Sequence, residues 1–265
     1  MSYQVIIEPI GETIEVEEDQ TILDAILRAG LYIPYQCGHG LCSTCKVDVL
    51  EGEVELGNAS PFALMDFERD EGKALACCAK PRSDLVIEAD IEEDPDSLAI
   101  PVRDYEAQVA ELIDLTPDIK GVYLDVGGEG VVFQAGQYIN LSLPGIEGPR
   151  AFSIASPPSQ PGRLELHVRL VAGGAATSYI HNKLAIGDRV RFSAPMGHFF
   201  VRKSADMPCI FIAGGSGLSS PKSMVLDLLE EGFDKPLWLF HGVRTKADIY
   251  FADLFNELAA RHPNF

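Results

Sequence analysis

Six cysteines are the residues of this sequence best suited to metal or redox chemistry, and three of them are closely spaced. Cys37, Cys42 and Cys45 form a C-x4-C-x2-C pattern, and Cys77 and Cys78 follow further along the chain. This spacing is typical of [2Fe–2S] clusters, because each of the two irons needs two thiolates. The tight loop supplies three of them and a distant segment supplies the fourth.

Two glycines in this loop favour a cluster. Gly38 and Gly40 let the backbone wrap around the inorganic sulfides and direct N–H groups at them. The alternative is a zinc site with four cysteine ligands, although zinc does not require the longer C-x4 spacing. Spacing alone does not decide between Cys77 and Cys78. Cys209, inside an apolar run, is expected to be a small buried apolar residue.

A second candidate site surrounds Arg150, Phe152 and Ser153, at the end of a predicted strand. An arginine neutralises a pyrophosphate, an aromatic ring two residues along stacks on a flat ring, and a serine offers a hydrogen bond. Further along, Gly174 and Thr177 open a predicted helix, and helix N-termini bind phosphate. Taken singly, these residues are better explained as a solvated arginine, a core phenylalanine and an ordinary helix cap.

A third candidate site is a glycine-rich turn. Gly214, Gly215 and Gly217 follow an apolar strand and precede a helix, which is the context of a phosphate-binding turn. Ser220 stands where G-x-G-x-x-G has its third glycine, so the motif alone is a modest signal. Arg244 follows the next strand and is either a reader of the ribose or a solvated loop residue, so it does not decide between NADH and NADPH.

The charge of the chain is strongly negative and unevenly distributed. Its 265 residues carry 40 Asp and Glu against 21 Lys and Arg, a net charge of −19. Residues 1–100 hold 22 acidic and six basic residues, a net of −16, which leaves −3 for residues 101–265. Such acidity argues against a nucleic-acid partner, since phosphate binding depends on Lys and Arg.

Localisation follows from the same composition. No signal peptide and no apolar run of about 20 residues is visible, so we expect a cytoplasmic protein without a membrane partner. In a reducing cytosol the cysteines are expected to serve metal or redox chemistry and not disulfides.

The elements that must position these residues change character along the chain. The first part predicts a small α+β unit with strands at 3–9, 13–16, 46–50 and 85–89, helices after Thr21 and at 61–68, and an irregular loop at 34–45. Short runs separated by Gly and Pro turns then predict an antiparallel barrel, with strands at 131–133, 138–143, 164–171 and 189–193 and one helix at 175–184. From residue 208, apolar strands at 209–213 and 237–240 alternate with helices at 222–231 and 249–261, which predicts parallel α/β structure.

The first part of the chain resembles a plant-type ferredoxin domain with a β-grasp fold. Besides the cysteine loop, the segment Leu-Ala-Cys at 75–77, followed by Pro81, matches the fourth-ligand segment of that family. The family carries its ligand two residues after the leucine. The resemblance therefore implies a [2Fe–2S] cluster whose ligands are Cys37, Cys42, Cys45 and Cys77.

The middle of the chain resembles the ferredoxin-reductase-like flavin domain. Its signature, Arg-x-Tyr-Ser-x-x-Ser/Thr followed by Gly-Gly-x-x-Ser/Thr, matches residues 150–156 and 173–177, with Phe152 in place of the tyrosine. The resemblance implies that Arg150 holds the pyrophosphate of FAD, that Phe152 stacks on its ring and that Ser153 faces flavin N5. Further FAD contacts are implied for Val168, Leu170, Gly174 and Thr177.

The order of the three parts resembles the reductase components of bacterial multicomponent oxygenases, and in particular the phenol hydroxylase reductases. This resemblance implies a multidomain α+β and α/β protein: a ferredoxin domain at 1–93, a linker at 94–101, an FAD-binding β-barrel at 102–203 and part of a Rossmann-like NAD-binding domain at 204–265. Within the last, Gly214, Gly215 and Gly217 are implied to bind the nucleotide.

The implied activity is electron transfer from NADH through FAD and the cluster to a di-iron oxygenase, with no acid–base catalytic residue. The last segment holds only two βα units and lacks the later Cys-Gly-x-Pro segment of the family, so the NAD-binding domain is expected to be truncated. The alternative function is a non-enzymatic flavin and iron–sulfur electron carrier without an NADH site of its own. The acidic first part is interpreted as a surface that docks on a basic patch of the oxygenase.

Overall fold

The structure, a computed structural model, describes residues 1–91 and 94–265. These residues form two compact units, Met1–Val102 and Arg103–Phe265. Of the segment around the predicted linker, Glu92 and Glu93 lie outside the described residues. No helix in the described part is long and apolar enough to cross a lipid bilayer. The predicted division of residues 102–265 into two domains stays a prediction.

The first unit is built on a mixed sheet. Its elements are β1 (Ser2–Glu8), β2 (Glu12–Glu17), α1 (Ile22–Arg28), β3 (Lys46–Glu51), β4 (Val54–Glu55), α2 (Asp66–Asp70), β5 (Lys73–Leu75), β6 (Lys80–Pro81) and β7 (Leu85–Glu88). Five strands pair in the order β2-β1-β7-β3-β5, with β1 and β7 parallel and the other pairs antiparallel. This is the expected β-grasp arrangement.

The core of the first unit follows the sequence pattern. Alternate residues of β1, Val5 and Ile7, are fully buried, as are Ile22 and Ile26 one helical turn apart on α1. Thr21 caps α1 as predicted, since its hydroxyl accepts a hydrogen bond from the N–H of Asp24 (3.3 Å).

The short helix predicted at 61–68 is misplaced. The N–H groups of Ala63 and Leu64 both donate to the carbonyl of Ser60 and form a turn. Helix α2 begins only after Met65, whose N–H donates to the carboxylate of Glu68 (2.9 Å). The glutamate three residues after Met65 therefore determines the start of the helix, and Pro61 does not.

The second unit begins with an antiparallel sheet. Its elements are β8 (Arg103–Thr116), β9 (Ile119–Val126), β10 (Tyr138–Ser142), β11 (Arg150–Ser153), β12 (Arg163–Arg169), α3 (Ala175–Asn182), β13 (Arg189–Met196), β14 (Cys209–Gly214), α4 (Ser219–Glu230), β15 (Leu237–Gly242) and α5 (Ala252–Arg261). Six strands pair in the order β11-β10-β13-β8-β9-β12.

The two outer strands of this sheet meet, which closes it into the predicted barrel. Ile154 forms a bridge with Leu166, and the N–H of Ala155 donates to the carbonyl of Glu165 (2.7 Å). Apolar side chains from every strand of this sheet pack in or against the interior, among them Leu124, Ile139 and Leu166, all fully buried.

Two features of the barrel differ from the sequence prediction. Residues 131–133, predicted as a strand, pair with no strand, although Val131 is buried and its N–H donates to the carbonyl of Pro161. Strands β8, the longest of the barrel, and β9 were not predicted individually. In β8 the register shifts at Glu111 and again at Thr116, and these irregularities interrupt the alternation of apolar and polar residues.

The end of the second unit is a parallel pair of strands, β14 and β15, with helix α4 between them in the chain. The predicted parallel arrangement is confirmed, but only one face of this pair is buried. The other face exposes four apolar side chains that pair across the strands, Ile210 with Trp238 and Ile212 with Phe240. Cys209 is half-buried and packs against the core of this region.

Candidate cofactor sites

The cysteine loop directs backbone N–H groups at sulfur. The N–H groups of His39 and Leu41 lie 3.5 and 3.3 Å from Sγ of Cys37, and the N–H of Cys37 lies 3.4 Å from Sγ of Cys42. Gly38 has a φ of +71°, which brings the chain around the sulfur. Hydrogen bonds from N–H groups favour a negatively charged sulfur, as a metal-bound thiolate is.

The four predicted ligands occur as two pairs. The Sγ of Cys42 accepts a hydrogen bond from the N–H of Cys37 (3.4 Å), and the thiols of Cys45 and Cys77 interact with each other. Burial raises the pKa of Cys42, but hydrogen bonds from Thr44 and Cys37 outweigh burial and lower it to about 6. Thiolate, the form that binds iron, is therefore accessible at this position.

This pairing fits two irons better than one zinc. A [2Fe–2S] cluster needs only two thiolates at each iron, because bridging sulfides complete the coordination. The two cysteine pairs supply those thiolates, whereas a zinc site needs four around one ion.

Cys78 lies beside Cys77 and packs against the loop. Its Sγ lies 3.7 Å from Sγ of Cys77. Gly40 has a φ of +81°, and a Cβ on it would lie 2.7 Å from Sγ of Cys78. Gly40 is therefore required by packing as well as by backbone conformation, a role that the sequence pattern did not reveal.

The segment after β4 supports the loop and exposes apolar side chains. The N–H of Ser60 donates to the carbonyl of Gly40 (3.0 Å), and the hydroxyl of Ser43 donates to the carbonyl of Ala63 (2.7 Å). We call the exposed side chains of the loop and this segment the loop patch: Leu41, Phe62, Met65 and Phe67, with Phe62 91% exposed.

The predicted flavin motif lies on β11. The exposed Arg150 folds back on its own turn, where its Nη1 donates to the carbonyls of residues 147, 148 and 149 at 3.0–3.1 Å. Phe152 packs against the barrel core, and Ser153 lies opposite Tyr138 of β10. The strand thus brings the three residues together at one edge of the barrel.

The remaining predicted FAD residues lie on β12 and at the start of α3. Val168 is fully buried in the barrel core, so it offers no exposed side-chain atom. Leu170 is partly exposed. Thr177 accepts a hydrogen bond from the N–H of Val171 (3.1 Å) and donates one to the carbonyl of Gly174 (3.3 Å), so these residues shape the turn before α3.

The glycine-rich turn connects β14 to α4. Gly214 ends the strand, and Gly215–Leu218 form a single 3-10 turn. Gly215 has a φ of +51°, and its carbonyl accepts a hydrogen bond from Nε2 of His241 (3.1 Å) and lies 3.3 Å from the hydroxyl of Tyr250. Side chains from two later elements therefore hold the turn in place.

Arg244 lies beside this turn in a cleft of about 350 Å³. Its Nη2 lies 2.8 Å from a carboxylate oxygen of Asp118 and 3.2 Å from one of Asp248. Arg169 pairs with the same oxygen of Asp118 (3.2 Å). Arg244 is thus an exposed residue at the cleft that forms ion pairs with Asp118 and Asp248.

Four buried polar residues were not identified from the sequence: Glu165, His167, Lys222 and Tyr250, each 5–6% exposed. Glu165 and His167 alternate with apolar residues in β12, a pattern that normally places polar side chains in water. Helix α4 brings Lys222 to this face, so that its Nζ lies 2.6 Å from Glu165. The sequence gives one signal of this network: a lysine among small and apolar residues at the start of the predicted helix.

Three family models match successive parts of the chain. Residues 5–82 match a 2Fe-2S iron-sulfur cluster binding domain, residues 106–201 an oxidoreductase FAD-binding domain and residues 211–265 an oxidoreductase NAD-binding domain. The cofactors predicted from the sequence, a [2Fe–2S] cluster, FAD and NADH, are confirmed at the level of these domains. Because the NAD-binding model matches, a carrier without its own nucleotide site is not favoured.

Curated relatives resemble the chain over its whole length. It is 62% identical to the reductase component DmpP of phenol 2-monooxygenase from Pseudomonas sp. (strain CF600), covering 100% of this chain and 75% of that protein. It is 61% identical to the phenol hydroxylase P5 protein of Acinetobacter pittii (strain PHEA-2), with the same coverage.

Solved structures show the same fold. The cytochrome P450 reductase GcoB of Amycolatopsis has a TM-score of 0.89 and 36% identity, covering 99% of this chain and 79% of that one. The ferredoxin reductase of carbazole 1,9a-dioxygenase has a TM-score of 0.79 and 30% identity, covering 94% and 75%. The chain therefore belongs to the family of monooxygenase reductase components, which combine a [2Fe–2S] domain with FAD- and NAD-binding domains.

Proposed function

We propose that the chain takes electrons from NADH and passes them through FAD and a [2Fe–2S] cluster to the di-iron oxygenase component of a phenol hydroxylase. The observation that carries this proposal is the 62% identity, over all 265 residues, to a phenol 2-monooxygenase reductase. When bound, FAD would supply the conversion of a two-electron hydride into single electrons, while the protein positions the cofactors.

The cluster ligands in this proposal are Cys37, Cys42, Cys45 and Cys77. Two observations support them: their thiols form two pairs, and backbone N–H groups point at the sulfurs of the loop. The exclusion of Cys78 is supported by its packing against Gly40, where it fills space beside the loop.

The FAD site in this proposal lies along β11 and the start of α3. Arg150 would bind the pyrophosphate, which would replace the main-chain carbonyls that its guanidinium now contacts. Phe152 would stack on the flavin, and Ser153 would hydrogen-bond near N5. Leu170, Gly174 and Thr177 would complete the site, to which Val168 contributes barrel packing.

The nucleotide site in this proposal is the turn of Gly214, Gly215 and Gly217. The turn precedes the twelve-residue helix α4, whose N-terminal N–H groups favour an anion. A bare glycine backbone also lets a phosphate approach closely. A Cβ at Gly214 or Gly217 would meet no other atom within 4 Å, so open space lies beside these two glycines.

The partner surface in this proposal is the loop patch within the acidic first unit. The patch lies at the proposed cluster, where an electron must leave, and residues 1–100 carry a net charge of −16. A partner with an apolar centre and a basic rim would fit this surface. We place the protein in the cytoplasm, where its six free cysteines would stay reduced.

Anaerobic spectroscopy of the purified chain tests this function. We expect flavin bands together with broad iron–sulfur absorption, both bleached by NADH, and NADH-driven reduction of cytochrome c. Parallel titrations with NADH and NADPH determine the nucleotide preference. A spectrum without either chromophore, or one that neither nucleotide bleaches, would contradict the proposal. Substrate-dependent turnover with a purified phenol hydroxylase oxygenase tests the partner.

A further inference from the structure

A buried charged network joins the barrel to the helix after the glycine-rich turn, and none of the cofactor motifs includes it. Its members are Glu165 and His167 of β12, Lys222 in the first turn of α4, and Tyr250 just before α5. Each side chain is almost completely enclosed, and the His167 side chain is fully so. Buried ionisable groups persist only with close partners, so the contacts of this network are specific.

Lys222 has three partners. Its Nζ lies 2.6 Å from Oε2 of Glu165, 3.3 Å from the carbonyl of Ala155, and 4.7 Å from the ring centroid of Phe251. Two of them, Glu165 and Ala155, are barrel residues. The ammonium of a helix that follows the nucleotide turn is therefore held by the barrel wall.

The network continues from Glu165 to the turn itself. Oε1 of Glu165 accepts a hydrogen bond from Nε2 of His167 (2.8 Å), which leaves Nδ1 of His167 to accept from the hydroxyl of Tyr250 (3.2 Å). The same hydroxyl lies 3.3 Å from the carbonyl of Gly215. A chain of polar contacts thus runs from Lys222 to the second glycine of the turn.

The other end of the network reaches the flavin motif. Ala155, whose carbonyl contacts Lys222, is two residues after Ser153. Beside it, the hydroxyl of Ser223 donates to the carbonyl of Ser156 (2.7 Å). The start of α4 is therefore fixed to the strand end that carries the proposed N5-facing serine.

From these contacts we propose that Lys222 is a positioning residue, which fixes the nucleotide turn relative to the flavin strand through Glu165, His167 and Tyr250. This inference rests on the proposed function. Hydride transfer needs the donor carbon and the acceptor nitrogen N5 in near-contact, and a displacement of about 1 Å costs about 100-fold in rate. The affinity for the nucleotide depends on its other contacts along the turn, and these contacts tolerate such a displacement.

The test compares the full chain with its Lys222→Met variant, which keeps the length of the side chain and removes its charge. Anaerobic stopped-flow mixing with increasing NADH separates the limiting rate of flavin reduction from the apparent Kd. We expect a limiting rate about 10- to 100-fold lower, a Kd changed less than about threefold, and unchanged FAD and iron content. Lys235→Met, which removes an ion-paired lysine remote from the network, is the matched control and should retain the wild-type rate.

A double variant separates positioning from folding. Glu165→Gln with Lys222→Met removes both charges, so no charge is left buried and unpaired, and stability should largely return. If Lys222 positions the turn, the limiting rate stays at least about tenfold low. A wild-type rate in Lys222→Met, or a rate restored in the double variant, would overturn the inference.

Hydrogen exchange gives a readout that needs no NADH. The amides of residues 214–219 should exchange faster in Lys222→Met than in the wild type and in Lys235→Met, whereas unchanged exchange there would contradict the inference. A wild-type chain whose flavin NADH does not reduce would overturn the proposed function. The exchange measurement would then still decide the role of Lys222.

Discussion

His167 donates a hydrogen bond to Glu165 at 2.8 Å, two residues earlier on the same strand, and both side chains are buried. Burial lowers the pKa of His167, although its bond to Glu165 raises it. The folded protein therefore takes up a proton at His167 only below the pH at which the unfolded chain does, about 6.5.

Stability should consequently fall on acidification below about pH 6.5, because the unfolded state then binds more protons. The expected slope from this residue is up to about 1.4 kcal/mol per pH unit until the lower folded pKa is reached. Urea denaturation at pH 8.0, 6.5 and 5.5 measures it. His167→Gln should flatten the slope and His262→Gln should preserve it; equal slopes in both variants would contradict the assignment.

Lys222 should be important for stability as well as for positioning. Removing one partner of a buried ion pair leaves the other charge uncompensated, so Lys222→Met should destabilise the second unit by about 3–5 kcal/mol. Lys235 pairs with Asp206 and Asp234 near the surface, and Lys235→Met should cost less than about 1 kcal/mol. Thermal or urea unfolding of both variants measures the difference, and equal losses would refute it.

Cys77 and Cys78 should differ in their effect on the cluster. Cys77→Ser replaces a proposed ligand that pairs with Cys45 and should abolish the iron–sulfur absorption while flavin absorption remains. Cys78→Ser is nearly isosteric and should leave the iron content unchanged. Iron and sulfide analysis of both proteins measures this, and the reverse pattern would make Cys78 the ligand.

The two loop glycines should respond differently to a methyl group. Gly38→Ala introduces only backbone strain of about 1–2 kcal/mol, because nothing lies within 4 Å of its Cβ position. Gly40→Ala adds a clash with Sγ of Cys78 and should reduce cluster incorporation more strongly. Iron content and the visible absorption after purification compare the two variants; a greater loss in Gly38→Ala would show that the packing of Cys78 is unimportant.

Electron delivery to the oxygenase should depend on salt. If the charge of −16 on residues 1–100 steers association, the bimolecular rate should fall about tenfold or more between 0.02 and 0.5 M NaCl, since salt screens exposed charges. Flavin reduction by NADH within the same samples serves as the control and should change less. If the bimolecular rate did not change with ionic strength, the acidic residues would serve solubility and not docking.

Local patterns predicted most of the cofactor motifs and the elements that carry them. The spacing of the cysteines, the cap at Thr21 and the strand–turn–helix around Gly214 each depend on residues close in sequence. One local signal was misleading because another local contact prevailed over it. Helix α2 begins later than Pro61 suggests because of Glu68.

The buried network was beyond such patterns because its members are far apart in the chain. Glu165 and Lys222 are 57 residues apart, and Tyr250 is 83 residues from His167. Only closure of the barrel and docking of α4 bring them together. The same reasoning explains Gly40, whose requirement comes from a thiol on a different segment.

The closure of the barrel through Ile154 and Leu166 also limits how this protein can be recombined with its relatives. It places Glu165 beside the flavin strand, where Lys222 of the following module reaches it. In a chimera joined near residue 204, Glu165 and Lys222 would come from different parent proteins. One buried charge would then lack its partner unless both parents carry the pair. Flavin and nucleotide modules of this family are therefore best exchanged together, or with Glu165, His167 and Lys222 transferred as a set.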